Sequence, residues 1–234
     1  MFRNSRRIFS SWRFCSVPYV LIGGGTASYY AALTIRARDP EAKVLIISEE
    51  NESPYNRQLL SKEVWWYGNE NTPKSLSYIS PASGKRRDLP YESDGFYPKL
   101  EDFSSEIDAT TSSEYSHGGI ALLKNSKAVK VDSEKHWVEL MDGKKISFKK
   151  CLLATGSRLK DLDVLDKSDS RKAELKKSIS KFTNVDDYRN LDAVIKSKMN
   201  SRIGIVGGGF LGSELAYSLN RRYGQDQKKR MGLV

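Results

Sequence analysis

A short apolar run, a glycine-rich turn and a helix-forming stretch occur twice in this chain of 234 residues, about 180 residues apart. In the first copy, residues 18–22 (PYVLI) have the pattern of a buried parallel strand and run directly into Gly23, Gly24 and Gly25. Helix formers such as Ala31, Ala32 and Leu33 follow at helical spacing, and Asp39-Pro40 stops the helix, because proline bars its continuation. A second apolar run, 43–47, then closes at Ser48, Glu49 and Glu50. This is a complete βαβ unit with glycines after its first strand and an acid after its second, the arrangement that binds a dinucleotide. Gly23 permits the tight turn and Gly25 lets the backbone approach a pyrophosphate. Thr26 and Ala27 open a helix whose free N–H groups and dipole favour that anion, and Glu49 is placed to accept from a ribose. Ser28 stands where the fingerprint has its third glycine, a small residue that still allows close helix–strand packing.

The second copy has residues 202–206 as strand, then Gly207, Gly208, Gly209, Phe210, Leu211 and Gly212 with all three glycine positions filled, and a helix from Ser213. One site per unit implies two dinucleotide sites, hence an α/β fold of the two-dinucleotide, Rossmann-like kind. Between the copies, 120–131 and 136–148 alternate as strands with Asp142-Gly143 as a hairpin turn. Residues 151–154 read as a buried strand ending in Thr155-Gly156, so a β-hairpin layer precedes an Ala-Thr-Gly strand.

The remaining features narrow the class. A hydrophobic share of 38% suffices for one large or two small cores. No apolar run approaches the roughly eighteen residues of a bilayer span. The net charge of +10 could draw nucleic acid or an anionic cofactor, yet no basic run is interleaved with aromatics and no helix-turn-helix or zinc-finger spacing occurs. Most of the excess is therefore assigned to a leader and to solvated faces. Residues 1–16 hold Arg3, Arg6, Arg7 and Arg13, several serines and no acid, the composition of a mitochondrial transit peptide. Cys15 and Cys151 are far apart in sequence and supply neither a disulfide framework nor a redox-active dithiol. His117 and His136 lack metal-ligand spacing, and 102–117, rich in Ser, Thr and acids, reads as an exposed loop.

Residues 20–27, 44–50, 54–63 (PYNRQLLSKE), 138–143, 151–156 and 207–216 (GGGFLGSELA) together resemble the apoptosis-inducing-factor family of flavoproteins, and the likeness runs from residue 17 to about 224. The resemblance implies an FAD-binding domain over 17–157 and the start of an NAD-binding domain over 158–234. It implies FAD contacts at Gly23, Gly24, Gly25, Thr26, Ala27, Glu49, Glu50, Arg57, Lys62, Ala128, Thr155 and Gly156. Gly207, Gly208, Gly209, Phe210, Leu211 and Glu214 would serve NAD. Lys62, paired with an acid, would sit near the reactive edge of the flavin and favour negative charge on the reduced ring. Phe210 would stack near the flavin and gate the nicotinamide, with Glu214 beside it. From the residues alone, Lys62 reads equally as a solvated helix lysine, Phe210 as a core aromatic and Glu214 as a surface acid.

The family further implies NADH oxidation with electrons passed to a quinone or another acceptor, residence in the mitochondrial intermembrane space, a partner in mitochondrial import, and relocation to the nucleus with non-specific DNA binding during cell death. Two competing readings remain: a binding or pro-death module without turnover, and a ferredoxin-reductase-like enzyme. Gln58-Leu59 replace two prolines usual in the family, and Ala82 stands near the tryptophan that helps form a second NAD site in the mammalian protein. That site and the reduced-state dimer linked to it therefore lack support here. Against the family pattern, the sequence is expected to be truncated at Val234, before the NAD domain, a returning flavin-binding segment and a C-terminal dimerisation domain are complete.

Overall fold

The computed structural model describes residues 14–100, 118–160, 178–197, 202–224 and 230–233. The leader expected at 1–16 lies outside these up to residue 13, as does the whole of the polar loop expected at 102–117, His117 included. In chain order the elements are β1 (Phe14–Ser16), β2 (Tyr19–Ile22), α1 (Thr26–Arg38), β3 (Lys43–Ile47), a 3-10 turn (Arg57–Ser61), α2 (Glu63–Trp66), α3 (Thr72–Ser75), β4 (Ser77–Ile79) and β5 (Arg86–Asp88). After a short 3-10 turn (Asp94–Phe96) come β6 (Gly119–Leu123), β7 (Ala128–Asp132), β8 (Trp137–Leu140), β9 (Lys145–Ser147), β10 (Lys150–Leu153), α4 (Val185–Ser197), β11 (Arg202–Ile205), α5 (Phe210–Tyr223) and β12 (Arg230–Leu233). Contacts divide the chain into two units, residues 1–55 with 91–156 and residues 56–90 with 157–234. Among the described residues no helix is long and apolar enough to cross a membrane.

The first unit is layered. A parallel sheet of order β10-β2-β3-β6 has one face toward α1 and the other toward a second sheet of order β1-β9-β8-β7. The alternation along the strands shows how both faces are buried. Val20, Ile22, Leu45, Ile47, Ala121 and Leu123 point into a core shared with Val138, Leu140 and Ile146 of the second sheet. Leu21, Val44, Ile46 and Ile120 point the other way, onto Ala32 of the helix side. Strands buried on both faces read as unbroken apolar runs, which is why β2 and β3 carry no polar alternation. The last three residues of the expected leader form β1, which pairs in parallel with β9 and buries Cys15 to 1% exposure.

Two readings of the sequence change here. The stretch 120–131 is two strands: β6 stays in the parallel sheet and β7 joins the other. The crossing is made at Asn125, whose φ of 52° turns the chain while its N–H donates to the Glu50 carbonyl at 3.2 Å and that of Ser126 to the Ser48 carbonyl at 2.8 Å. Strand β10, apolar in sequence, is half-exposed: Leu152 is 41% and Leu153 65% accessible, because β10 is the outermost strand of its sheet. The hairpin turn at Asp142-Gly143 is present, with Gly143 at φ 82°.

In the second unit, α2 and α5 pack together around Trp65, Leu60, Val64 and Leu219, and Trp65 meets Tyr188 of α4 edge to face at 4.9 Å. Helix α4 begins with a reciprocal cap: the Asp187 carboxylate accepts from the backbone N–H and hydroxyl of Thr183, both at 2.7 Å, while the Asn184 side chain accepts from the Asp187 N–H at 2.9 Å. Arg222 of α5 donates to the carbonyls of Val64, Trp65 and Gly68, closing the end of α2. Strands β11 and β12 pair in parallel on either side of α5 in sequence.

The two sides of the parallel sheet give opposite expectations. Leu45→Ala, at a fully buried site, should cost about 2–5 kcal/mol of unfolding free energy, whereas Leu153→Ala on the outer strand should stay within about 0.5 kcal/mol. Chemical denaturation of both variants checks this, and equal losses would mean that β10 is covered.

Candidate functional site

The first glycine turn is built by close approach on one side and openness on the other. Gly23 sits at φ 119°, and a Cβ there would lie 2.1 Å from the Ala154 carbonyl oxygen. Its N–H donates to the Ile47 carbonyl at 2.9 Å, and the Ala154 N–H donates to the Ile22 carbonyl at 2.8 Å. Only glycine meets both conditions. At Gly25 a Cβ would meet nothing within 4 Å. Helix α1 starts there without a side-chain cap and without an acid in its first turn. The N-terminal dipole is thus left without a protein counter-charge, facing open space where an anion can come up to the backbone. Thr26 and Ala27 are exposed at this end, and the Thr26 hydroxyl is 2.9 Å from that of Tyr91. Tyr91 stacks on Tyr29 at 4.5 Å. Burial first, and then the Glu92 carboxylate that accepts from it, push the Tyr29 hydroxyl up to about 12. Ser28 is fully buried, so the small residue does permit close packing, although its hydroxyl finds no partner among the described residues.

The two acids after β3 take different surroundings. Glu49 is exposed and ion-paired with Lys127 at 2.8 Å. The Glu50 carboxylate accepts from the Tyr55 hydroxyl at 2.7 Å. Because β6 crosses to β7 just here, Lys127, next to Ala128 in the chain, arrives beside Glu49, which brings two sequence-distant segments to one corner of the first unit. Thr155 and Gly156 follow β10 on the surface, Gly156 at φ 72°. The donor set fits a dinucleotide such as FAD: an open glycine turn, an uncapped helix and an exposed carboxylate at the end of the second strand.

In the second unit, Lys62 and Glu214 meet. The Lys62 ammonium is 3.1 Å from one Glu214 oxygen and the Ser61 hydroxyl donates to the other at 2.7 Å. The Ser61 hydroxyl chiefly, with the Lys62 ammonium behind it, holds the Glu214 carboxyl below its usual range against a smaller opposing effect of burial. Arg57 donates to the Thr183 carbonyl at 2.7 Å, which ties it to the segment ahead of α4. The second glycine turn repeats the first: Gly207 is at φ 117°, Gly208 and Gly209 face open space, and a Cβ at Gly212 would lie 2.0 Å from the Gly207 carbonyl oxygen. Helix α5 also starts uncapped and without an acid in its first turn. Phe210 is 91% exposed and Leu211 41%, so the core role open to Phe210 from sequence is ruled out. The sequence marks Ser61 only by its place immediately before Lys62.

Among the described residues no group of His, Cys, Asp and Glu forms a metal site. His136 packs its ring edge to face on Phe148 at 5.8 Å. Burial pushes the Cys151 thiol up, so it is protonated at neutral pH.

A family model described as pyridine nucleotide-disulphide oxidoreductase matches residues 17–227. The chain is 39% identical over 204 residues to the putative apoptosis-inducing factor 1, mitochondrial, of Drosophila melanogaster, covering 87% of this chain and 26% of that protein. It is 34% identical over 216 residues to apoptosis-inducing factor 1, mitochondrial, of Dictyostelium discoideum, covering 92% of this chain and 35% of that protein. Among solved structures, NADH:rubredoxin oxidoreductase from Clostridium acetobutylicum shares the fold with a TM-score of 0.59 at 19% identity, covering 94% of this chain and 45% of that one. The chain thus spans between a quarter and somewhat over a third of the length of these curated relatives.

The lowered Glu214 carboxyl has a definite sign. An acid whose folded value lies below its ordinary 4.5 stabilises the fold above that pH, and the contribution disappears as pH falls through the folded value. Glu214→Gln should therefore melt below the parent protein at neutral pH, and the gap should narrow well below pH 4.5. Melting curves at the two pH values test it, and a gap that stays constant would rule out the ionised pair as its source.

Proposed function

The chain belongs to the pyridine nucleotide-disulphide oxidoreductase family, and on that footing we propose that it is part of a mitochondrial FAD-dependent NADH oxidoreductase of the apoptosis-inducing-factor kind. The observation that carries the reading is the duplicated site: two glycine turns, each with its first glycine at positive φ and an uncapped helix behind it. The first turn, with Glu49, Glu50, Ala128, Thr155 and Gly156, holds FAD. The second, Gly207 to Gly209 with Leu211, holds the NADH pyrophosphate. Bound there, FAD would supply a two-electron carrier between NADH as hydride donor and an acceptor such as a quinone.

The protein's own groups support that chemistry by charge and by shape. Lys62 offers a fixed positive charge, steadied by Glu214 at 3.1 Å, which favours an anion over a neutral ring nearby. Phe210 presents an exposed aromatic face to a planar ring. Cys15 is buried and Cys151 is protonated at neutral pH, so neither is a ready partner for thiol exchange.

A second reading, a binding or pro-death module without turnover, is favoured by one observation. Apolar side chains stand exposed next to both motifs, Leu153 at 65% in the first unit and Val206 at 72% in the second. The net charge of +10 would serve such a module in non-specific contact with DNA, and that contact would weaken steeply with salt.

The visible absorption spectrum of the purified chain separates the two. A flavin band that bleaches on anaerobic addition of NADH is the expected outcome. A folded, soluble chain that carries no flavin and binds none when FAD is added would sink the oxidoreductase reading for this chain.

A further inference from the structure

We propose that Ser61, Ser218 and Trp66 form a hydrogen-bonded relay that positions the Glu214 carboxylate against the Lys62 ammonium. Four contacts carry it. The Ser61 hydroxyl donates to one Glu214 oxygen at 2.7 Å while the Lys62 ammonium takes the other at 3.1 Å. Adjacent residues thus grip the two oxygens of one carboxylate and fix its plane. The Ser218 hydroxyl donates to the Ser61 carbonyl at 2.6 Å, and the Trp66 indole N–H donates to the Ser218 oxygen at 2.7 Å.

The direction of the relay follows from donor chemistry. An indole N–H only donates, so Trp66 occupies a lone pair of Ser218 and the single Ser218 proton goes to the Ser61 carbonyl. Glu214 and Ser218 are four residues apart on α5, hence on one face of it. Helix α5 therefore meets the segment from Ser61 to Trp66 at two points, and the segment grips it at both. Ser61 is 3% exposed and Ser218 fully buried, so the bond between them is made away from water, where it is stronger and costlier to leave unmade. Alanine at 218 would leave the Trp66 indole N–H and the Ser61 carbonyl without this partner, and alanine at 61 would take a donor from Glu214, so neither hydroxyl is there for packing alone.

The Ser61 hydroxyl has a second acceptor within reach, the Gln58 carbonyl at 3.2 Å. With Glu214 ionised, the shorter, charge-assisted bond holds the proton on the Glu214 side. With Glu214 protonated, the carboxyl proton goes to the Ser61 oxygen and the Ser61 proton turns to Gln58. Ser61 is thus a positioning residue with one orientation for each protonation state of Glu214. Of the other charged groups on the packed elements, Arg222 is on the carbonyls of Val64, Trp65 and Gly68 and Arg221 lies over Trp66 and Tyr67. Glu63, next to Lys62, keeps one buried carboxylate oxygen without a hydrogen-bond partner among the described residues. The consequence for flavin chemistry rests on the role given to Lys62 above; the relay itself is a property of the chain without cofactor.

The test is a carboxyl-carbon NMR titration of Glu214 in the full chain without FAD, in the parent protein and in Ser61→Ala, Ser61→Thr, Ser218→Ala and Trp66→Phe. Ser61→Ala should raise the Glu214 midpoint by about half a unit to one unit, up to a tenfold change in its ionisation constant. Ser61→Thr should restore it, and Ser218→Ala and Trp66→Phe should raise it by less. A merely structural role would alter melting temperature without moving this midpoint. If Ser61→Ala does not fold, Ser218→Ala decides. An unshifted midpoint in a folded Ser61→Ala or Ser218→Ala protein, or failure of Ser61→Thr to restore it, overturns the relay. Because the readout needs no cofactor, loss of the FAD reading would leave this result standing, and the reverse.

Discussion

Three strand ends meet at Gly23. Its N–H is bonded to the end of β3, the end of β10 presses its carbonyl oxygen into the space where any side chain would begin, and β2 runs into it from below. This contact fixes where α1 starts and how closely it lies over the sheet, and through that the direction in which its uncapped N-terminus points. It also fixes the height of Glu49 at the end of the neighbouring strand. The rest of the first unit follows: a helix seated on Val44, Ile46 and Ile120, and a second sheet on the opposite face. A β-carbon at one residue would have to part strands whose pairing defines the unit.

The second unit organises charge in a different way. Its glycine turn, Gly207 to Gly209, is as open as the first, yet the strongest constraints lie a few residues on, where α5 and the segment after Arg57 are joined by hydroxyls, an indole and an ion pair. Lys62 and Glu214 are each about one-third exposed, so their attraction alone would be weak in water. Neighbouring buried donors turn a soft surface pair into a defined one. The same segment is closed at its far end by Arg222, one terminal nitrogen of which lies within hydrogen-bond distance of three backbone carbonyls.

Legibility in the sequence follows the range of the interaction. The turns at Gly23 and Gly207, the stop at Asp39-Pro40 and the hairpin at Gly143 are local chemistry, and the residues announce them. The sheet crossing at Asn125 is hidden, because a polar Lys-Asn-Ser-Lys stretch between two alternating strands looks like continued alternation, and the deciding bonds go to Ser48 and Glu50, some seventy-five residues earlier in the chain. Strand β10 misleads for the opposite reason: an apolar run records a preference for burial but not the identity of what does the burying. Lys62 and Glu214 are unremarkable as residues, and family resemblance marks each for a role without joining the two. The contacts of Ser61 and Trp66 with α5 span more than 150 positions, and no periodicity reports them.

The seat of Gly23 against Ala154 also sets an order of events during synthesis. The glycine turn, α1 and β3 leave the ribosome early, and the Gly23 bond to Ile47 can close at once. The wall formed by Ala154, and with it the outer strand that flanks β2, is made about 130 residues later, which at typical translation rates is a wait on the order of ten seconds. For that interval the first nucleotide motif exists as a turn lacking one side, its apolar strands exposed along one edge. The earliest motif in the chain is thus finished only when residue 154 has been made, and until then the nascent protein depends on whatever shields β2.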